Sequence, residues 1–166
     1  MLVSQTSFNM CFPATSQLVS VVRRFVQSLY ERVLKDRVTS SMLAIATHEL
    51  LENASKFNID EETTLWVSVT PQTESLSDAV VMIRTRNRAT PENILMAQRM
   101  ITTVRSAEDP YKYYQELILA TADLPDVSGL GLARIRAETP MTIDFKVEGD
   151  EIEIVAQAQL RFGGGR

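Results

Sequence analysis

The stretch "HELLENASKF", residues 48–57, threads two acids, an amide, a lysine and the chain's single histidine through an otherwise ordinary amphipathic helix. Glu49, Asn53 and Lys56 stand at i, i+4 and i+7, so they share one helix face. Two readings fit that face. It is either a solvated surface, where Glu, Asn and Lys are common, or a magnesium and phosphate site. In the second reading the carboxylate holds a water beside a hard cation, and the amide oxygen ligates that cation. The lysine, one turn further on, meets the phosphates that the cation bridges.

Working outward, Leu43, Ala46, Leu50, Ala54 and Phe57 form the apolar stripe of this helix, which the spacing places at about 39–57 before "NIDEE" breaks it. Upstream, a short strand at 6–12 ends at Pro13. A helix then starts at Thr15 or Ser16, with Leu18, Val21, Val22, Phe25, Leu29 and Val33 as its expected stripe. Downstream, "TTLWVSVTP" and "DAVVMIRTRN" read as two strands joined by "QTESLS". Helices are expected at 91–106, where the stripe is Ile94, Leu95, Ala97, Met100, Ile101 and Val104, and at 110–122. "DLPDVSGLGLARIRAE" passes from loop into a further helix, and the chain closes with a hairpin turning at Gly149.

The order is two helices, a hairpin, two or three helices and a second hairpin. It predicts an α+β fold: a two-layer α/β sandwich with a mixed, mainly antiparallel sheet and helices on one face. Leu65, Val67, Val81, Ile83, Ile143, Phe145, Ile152 and Ile154 are expected to face the helices. One domain covers 1–162, and residues 163–166 read as a flexible tail.

Composition narrows the function. The 166 residues are 45% hydrophobic and 23% charged, with a net charge of −4, which disfavours non-specific nucleic-acid binding. A single cysteine, Cys11, forms no internal disulfide, and one cysteine with one histidine supplies no Cys/His zinc site. The N-terminal stretch has no basic residue before Arg23 and no long apolar run, so a signal peptide is not expected. Nor does any segment approach the roughly 20 apolar residues of a membrane span. A cytoplasmic protein is the expectation.

A second motif, "SGLGLARI" at 128–135, places Gly129 and Gly131 at a helix start, where free amides and the helix dipole suit an anion. Taken in order, "ATHELLENASKF" resembles the N-box, and "SGLGLARI" the last glycine box, of the GHKL ATPase superfamily. The short chain is most similar to the anti-sigma-factor serine kinases of bacterial partner-switching systems. That resemblance implies a Bergerat-type (histidine-kinase-like) fold binding ATP and Mg2+. It implies Glu49 as the catalytic acid or base, Asn53 as the metal ligand, Lys56 near phosphate, and Gly129 and Gly131 meeting the phosphates.

The chain departs from the family in two places. Val127 replaces the first glycine of the last box. The family's Asp-x-Gly-x-Gly, which reads adenine, is replaced by "IRTRNRATPEN", and no glycine precedes Gly129. Asn87 or Asn93 is the polar residue nearest that role. Two functions therefore stand: a regulator that phosphorylates a serine on an antagonist or sigma-factor-like partner, and an interaction module that no longer binds nucleotide. His48 echoes a phospho-acceptor box but lacks its Arg-Thr-Pro continuation. Arg84, Arg86 and Arg88 alternate along a strand beside Val80, Met82 and Trp66. They are read either as solvated charges or as a docking face for an acidic partner or a homodimer.

Overall fold

The computed structural model describes residues 5–72, 78–122 and 129–161. Strand β1 (Thr6–Pro13) leads into helices α1 (Ser16–Leu34) and α2 (Arg37–Phe57), and then the hairpin β2 (Glu62–Pro71) and β3 (Asp78–Arg88). Helices α3 (Pro91–Ser106), α4 (Pro110–Thr121) and α5 (Leu130–Glu138) follow, and β4 (Thr142–Glu148) and β5 (Glu151–Arg161) close the fold. The expected tail at 163–166, Val127, and most of the loop between β2 and β3 lie outside the described residues.

Helix boundaries follow local capping chemistry. Thr15, Asp36, Thr90 and Asp109 each accept a hydrogen bond from the backbone amide three residues on, satisfying one otherwise orphaned donor. Pro91 and Pro110 sit in first turns, where the missing N–H costs nothing. Lys35, left-handed at φ 55°, ends α1 and returns its amide to the Glu31 carbonyl. Gly149, at φ 63°, turns β4 into β5 across a two-residue connection.

The five strands lie in the order β1-β2-β3-β5-β4, and all four pairings are antiparallel, so the sheet is not mixed. The two-layer sandwich is as the sequence predicts. Leu65, Val67, Val81, Ile83, Ile143, Ile152 and Ile154 are buried, and Phe145 is half-buried against the same core. The sheet's other face is open.

Two stripes differ from expectation. On α1 the buried residues are Val19, Val22, Val26, Tyr30 and Leu34, whereas Leu18, Val21 and Phe25 stay exposed at 39–50%. This helix is apolar over a wide arc, and only packing selects which part is covered. On α3, Leu95 is exposed while Ile94, Ala97, Ile101 and Val104 are buried. Helix α4 buries no residue completely. Its Tyr113, Tyr114 and Leu117 pack against the core, and Tyr111 is exposed.

Helix α2 is the central helix, packed against α1, α5, β2 and β3. Ser40, Ala44, Thr47 and Leu51 are buried along with Leu43, Ala46, Leu50 and Ala54 of its expected stripe, while Phe57 is half-buried. Its polar face therefore cannot be wholly solvated, because α5 lies over part of it.

Candidate functional site

Glu49 and Asn53 stand one turn apart on α2, and the Asn53 amide Nδ2 donates to the Glu49 carbonyl at 2.9 Å. That bond orients the side chain and leaves its Oδ1 as the acceptor. Helix α5 meets this turn at its own first residues. Gly129 caps it at φ 98°, a left-handed conformation that favours glycine, and a side chain there would come within 3.3 Å of the Met100 methyl. Gly131 has a different reason: a Cβ at this position would fall 2.4 Å from Glu49 Oε2. The glycine lets the carboxylate lie directly on the first turn of α5.

The other carboxylate oxygen, Oε1, accepts from Arg134 Nη1 at 3.1 Å. Arg134 Nε in turn donates to Glu138 Oε2 at 2.8 Å, one turn further along α5. The Glu138 hydrogen bond, opposed by partial burial and aided by Glu49, raises the Arg134 guanidinium above its already high ordinary value, so it stays charged. Only 17% of the Glu49 side chain is exposed. An anion thus already occupies the helix end that the glycine motif was expected to offer to phosphate, and it is the protein's own.

Asn87, almost fully buried at the end of β3, lines a small cavity together with Asn53, Phe57, Asn93, Met100 and Leu132. Its Nδ2 donates to the Arg88 carbonyl at 3.1 Å. The cavity offers about 20 Å³ to water centres, enough for one water and far short of a purine. Lys56 is exposed and does not line it; its ammonium lies 5.9 Å from the Phe57 ring centroid.

The structure therefore lays Glu49 against Gly131, with Asn53 one turn along α2, brings Asn53 and Asn87 to one cavity, and leaves Lys56 outside that cavity. Arg134 and Glu138 were not anticipated. Their i, i+4 relation is visible in "ARIRAE", but the pairing of Arg134 with Glu49 spans 85 residues and no local pattern carries it. His48 has Nε2 3.8 Å from Glu52 Oε1, while its enclosed Nδ1 meets no hydrogen-bond partner among the described residues.

On the open sheet face each of the three arginines meets an acid. Arg84 lies 3.9 Å from Glu153, Arg86 pairs with Glu151, and Arg88 Nε donates to Asp150 at 2.9 Å with Asp60 also in range. The Arg88 hydrogen bond holds the Asp150 carboxyl below its ordinary range. The charges of the stripe are thus compensated by Glu151 and Glu153 on β5 and by Asp150 and Asp60 in the adjoining loops. Arg84 also stacks on Trp66 with its guanidinium carbon 5.0 Å from the ring centroid. These two, with Asn9, Ser68, Thr70 and Met82, line a shallow groove of about 630 Å³.

Trp66 is the chain's single tryptophan, so its fluorescence reports this face alone. Its emission is expected to shift to the blue when a partner protein or a second copy covers the groove. Unchanged emission while light scattering detects a complex would place the contact elsewhere.

Among the described residues no group of three or more His, Cys, Asp and Glu side chains could hold a metal, and no helix is long and apolar enough to cross a membrane. The fold defines the class as a two-layer α/β sandwich in which α5 lies against α2. A comparison with protein-family models finds no match, and a comparison with curated proteins finds none. Among solved structures, the chain is similar to one in the crystal structure of the SiaB–SiaC complex from Pseudomonas aeruginosa. The TM-score is 0.66 at 13% identity, over 92% of this chain and 89% of that one. At that identity the likeness establishes the fold.

Proposed function

We propose that this protein is a bacterial regulator of the partner-switching type, which binds a partner protein and uses the α2–α5 cleft for Mg·ATP to phosphorylate a serine of that partner. The observation that carries the proposal is the contact of Glu49 on α2 with Gly131 on α5, two distant segments, with Asn53 one turn from Glu49 on the same helix. The fold neighbour supports it, since that chain belongs to a complex of two proteins.

The residues fit the cation and phosphate end of such a ligand. Asn53 keeps an amide oxygen for magnesium, which needs few protein ligands because it retains water and takes phosphate oxygens. Glu49 stands one turn away to accept the proton of an acceptor hydroxyl. They do not fit the base in this conformation, because the cavity beside Asn87 holds about one water. Seating a base beside Asn87 requires that cavity, which Met100 helps to line, to widen. When bound, Mg·ATP supplies the transferred phosphoryl group; the chain supplies its alignment and the base.

The second reading, an interaction module without nucleotide, is favoured by the Glu49–Arg134 pair and by that narrow cavity. Calorimetry with a non-hydrolysable Mg·ATP analogue separates the two. Measurable binding is expected, and Asn53→Ala is expected to weaken it about tenfold, ~1.4 kcal/mol, by removing the cation ligand. No heat at millimolar analogue would select the interaction module.

A further inference from the structure

We infer that Arg134 is the phosphate ligand of the cleft, occupied in the free protein by the Glu49 carboxylate, which an incoming phosphate displaces. The inference rests on the nucleotide reading above and adds to it a residue and an order of events. Three observations carry it.

The first is the anchoring of the guanidinium. Glu138 holds Nε at 2.8 Å from within the same helix, so Arg134 stays in place if Glu49 leaves. Its Nη side, 3.1 Å from Glu49 Oε1, is the side that can exchange one anion for another. Guanidinium groups donate to carboxylate and to phosphate oxygens alike, and can do so through two parallel bonds.

The second is the position of the carboxylate. Glu49 Oε2 lies against the first turn of α5, so close that any side chain at 131 would collide with it. One acid therefore satisfies both the arginine and the positive end of the helix dipole. A triphosphate brings several negative charges to the same two attractions and outcompetes a single carboxylate there.

The third is the state of Glu49 itself. While paired with Arg134 and mostly enclosed, it is engaged and not placed to take a proton. Displacement by phosphate frees it at the moment the ligand arrives. The exchange thus couples occupancy of the cleft to exposure of the base, and it suppresses base chemistry in the empty protein.

The test is calorimetry with two probes: inorganic tripolyphosphate in the presence of a chelator, and Mg·ATP. The proteins are wild type, Arg134→Gln, Arg134→Lys and Glu49→Gln, with thermal melts to check folding. Arg134→Gln is expected to weaken tripolyphosphate binding about tenfold or more, and Arg134→Lys to recover part of the loss, since it keeps the charge without the fork. Glu49→Gln is expected to tighten it several-fold by removing the competing charge. This gain of binding is the diagnostic, because damage to the fold produces only losses. Tripolyphosphate affinity that is unchanged in Arg134→Gln, or weaker in Glu49→Gln, overturns the inference. If Mg·ATP still binds in that case, the nucleotide reading stands without it. If neither probe binds any of the four proteins, both fail together.

Discussion

Glu49→Ala is expected to lower phosphoryl transfer to the partner by about 100-fold or more, with Mg·ATP binding no weaker than in wild type. The size follows from the role. A positioned general base contributes roughly 10²–10⁴ in rate, and removing the carboxylate removes that contribution entirely. Under the proposed reading binding is spared, because Glu49 would ligate no phosphate and would instead compete for Arg134, to which it is hydrogen-bonded at 3.1 Å. Single-turnover transfer of labelled phosphate, run beside calorimetry, checks both halves. Loss of binding with the rate per bound nucleotide unchanged would make Glu49 a structural residue that merely seats α5 on α2.

Tyr30→Ala is expected to cost about 3–5 kcal/mol of stability, the range for deleting a buried ring. Typical domains have only about 5–15 kcal/mol in all. Tyr30 is fully buried between α1 and α2, and its hydroxyl lies 3.2 Å from Thr47 Oγ1. Thr47 spends its single proton on the Leu43 carbonyl at 2.9 Å, so Tyr30 is the donor in the pair. Urea unfolding measures the loss. Tyr30→Phe, which keeps the ring, is expected to cost only about 1 kcal/mol.

The same tyrosine carries a pH signature. Burial pushes its phenol above the ordinary range, because the charged phenolate would lose its hydration there. A folded-state value above the unfolded one means the contribution is complete below about pH 10, the unfolded value. It is lost as pH climbs from there through the folded value. Tyr30→Phe is therefore expected to flatten the alkaline decline in stability relative to wild type. An equal slope in both proteins would assign that decline to other groups.

Much of the architecture was legible because it is written in short-range periodicity. Alternation in "TTLWVSVTP" and "MTIDFKV" sets which side chains of β2 and β4 face the helices, since a strand's period of two leaves one answer once one face is buried. Capping residues such as Thr15 and Thr90 mark helix starts through bonds made within three residues. The stripe of α1 was legible only in part. Leu18, Val21 and Phe25 are as apolar as Val19, Val26 and Tyr30, and periodicity cannot choose between adjacent arcs of one helix. The choice is made by the sheet and α2, which the helix meets only in the folded chain.

The candidate site divides in the same way. By itself the sequence determined that Glu49 and Asn53 share a face, because four residues make about one helical turn, and that Gly129 and Gly131 open a helix. Only the tertiary structure decided that these two places touch, that Gly131 is glycine because a carboxylate lies where its Cβ would be, and that Arg134 holds that carboxylate. It decided equally that the three arginines of β3 are paired with acids, two of them across the sheet on β5. Spacing along a chain specifies direction within one element. Whether an acid meets water, a cation or an arginine depends on which other element the fold lays against it, and that depends on long-range packing that no local pattern records.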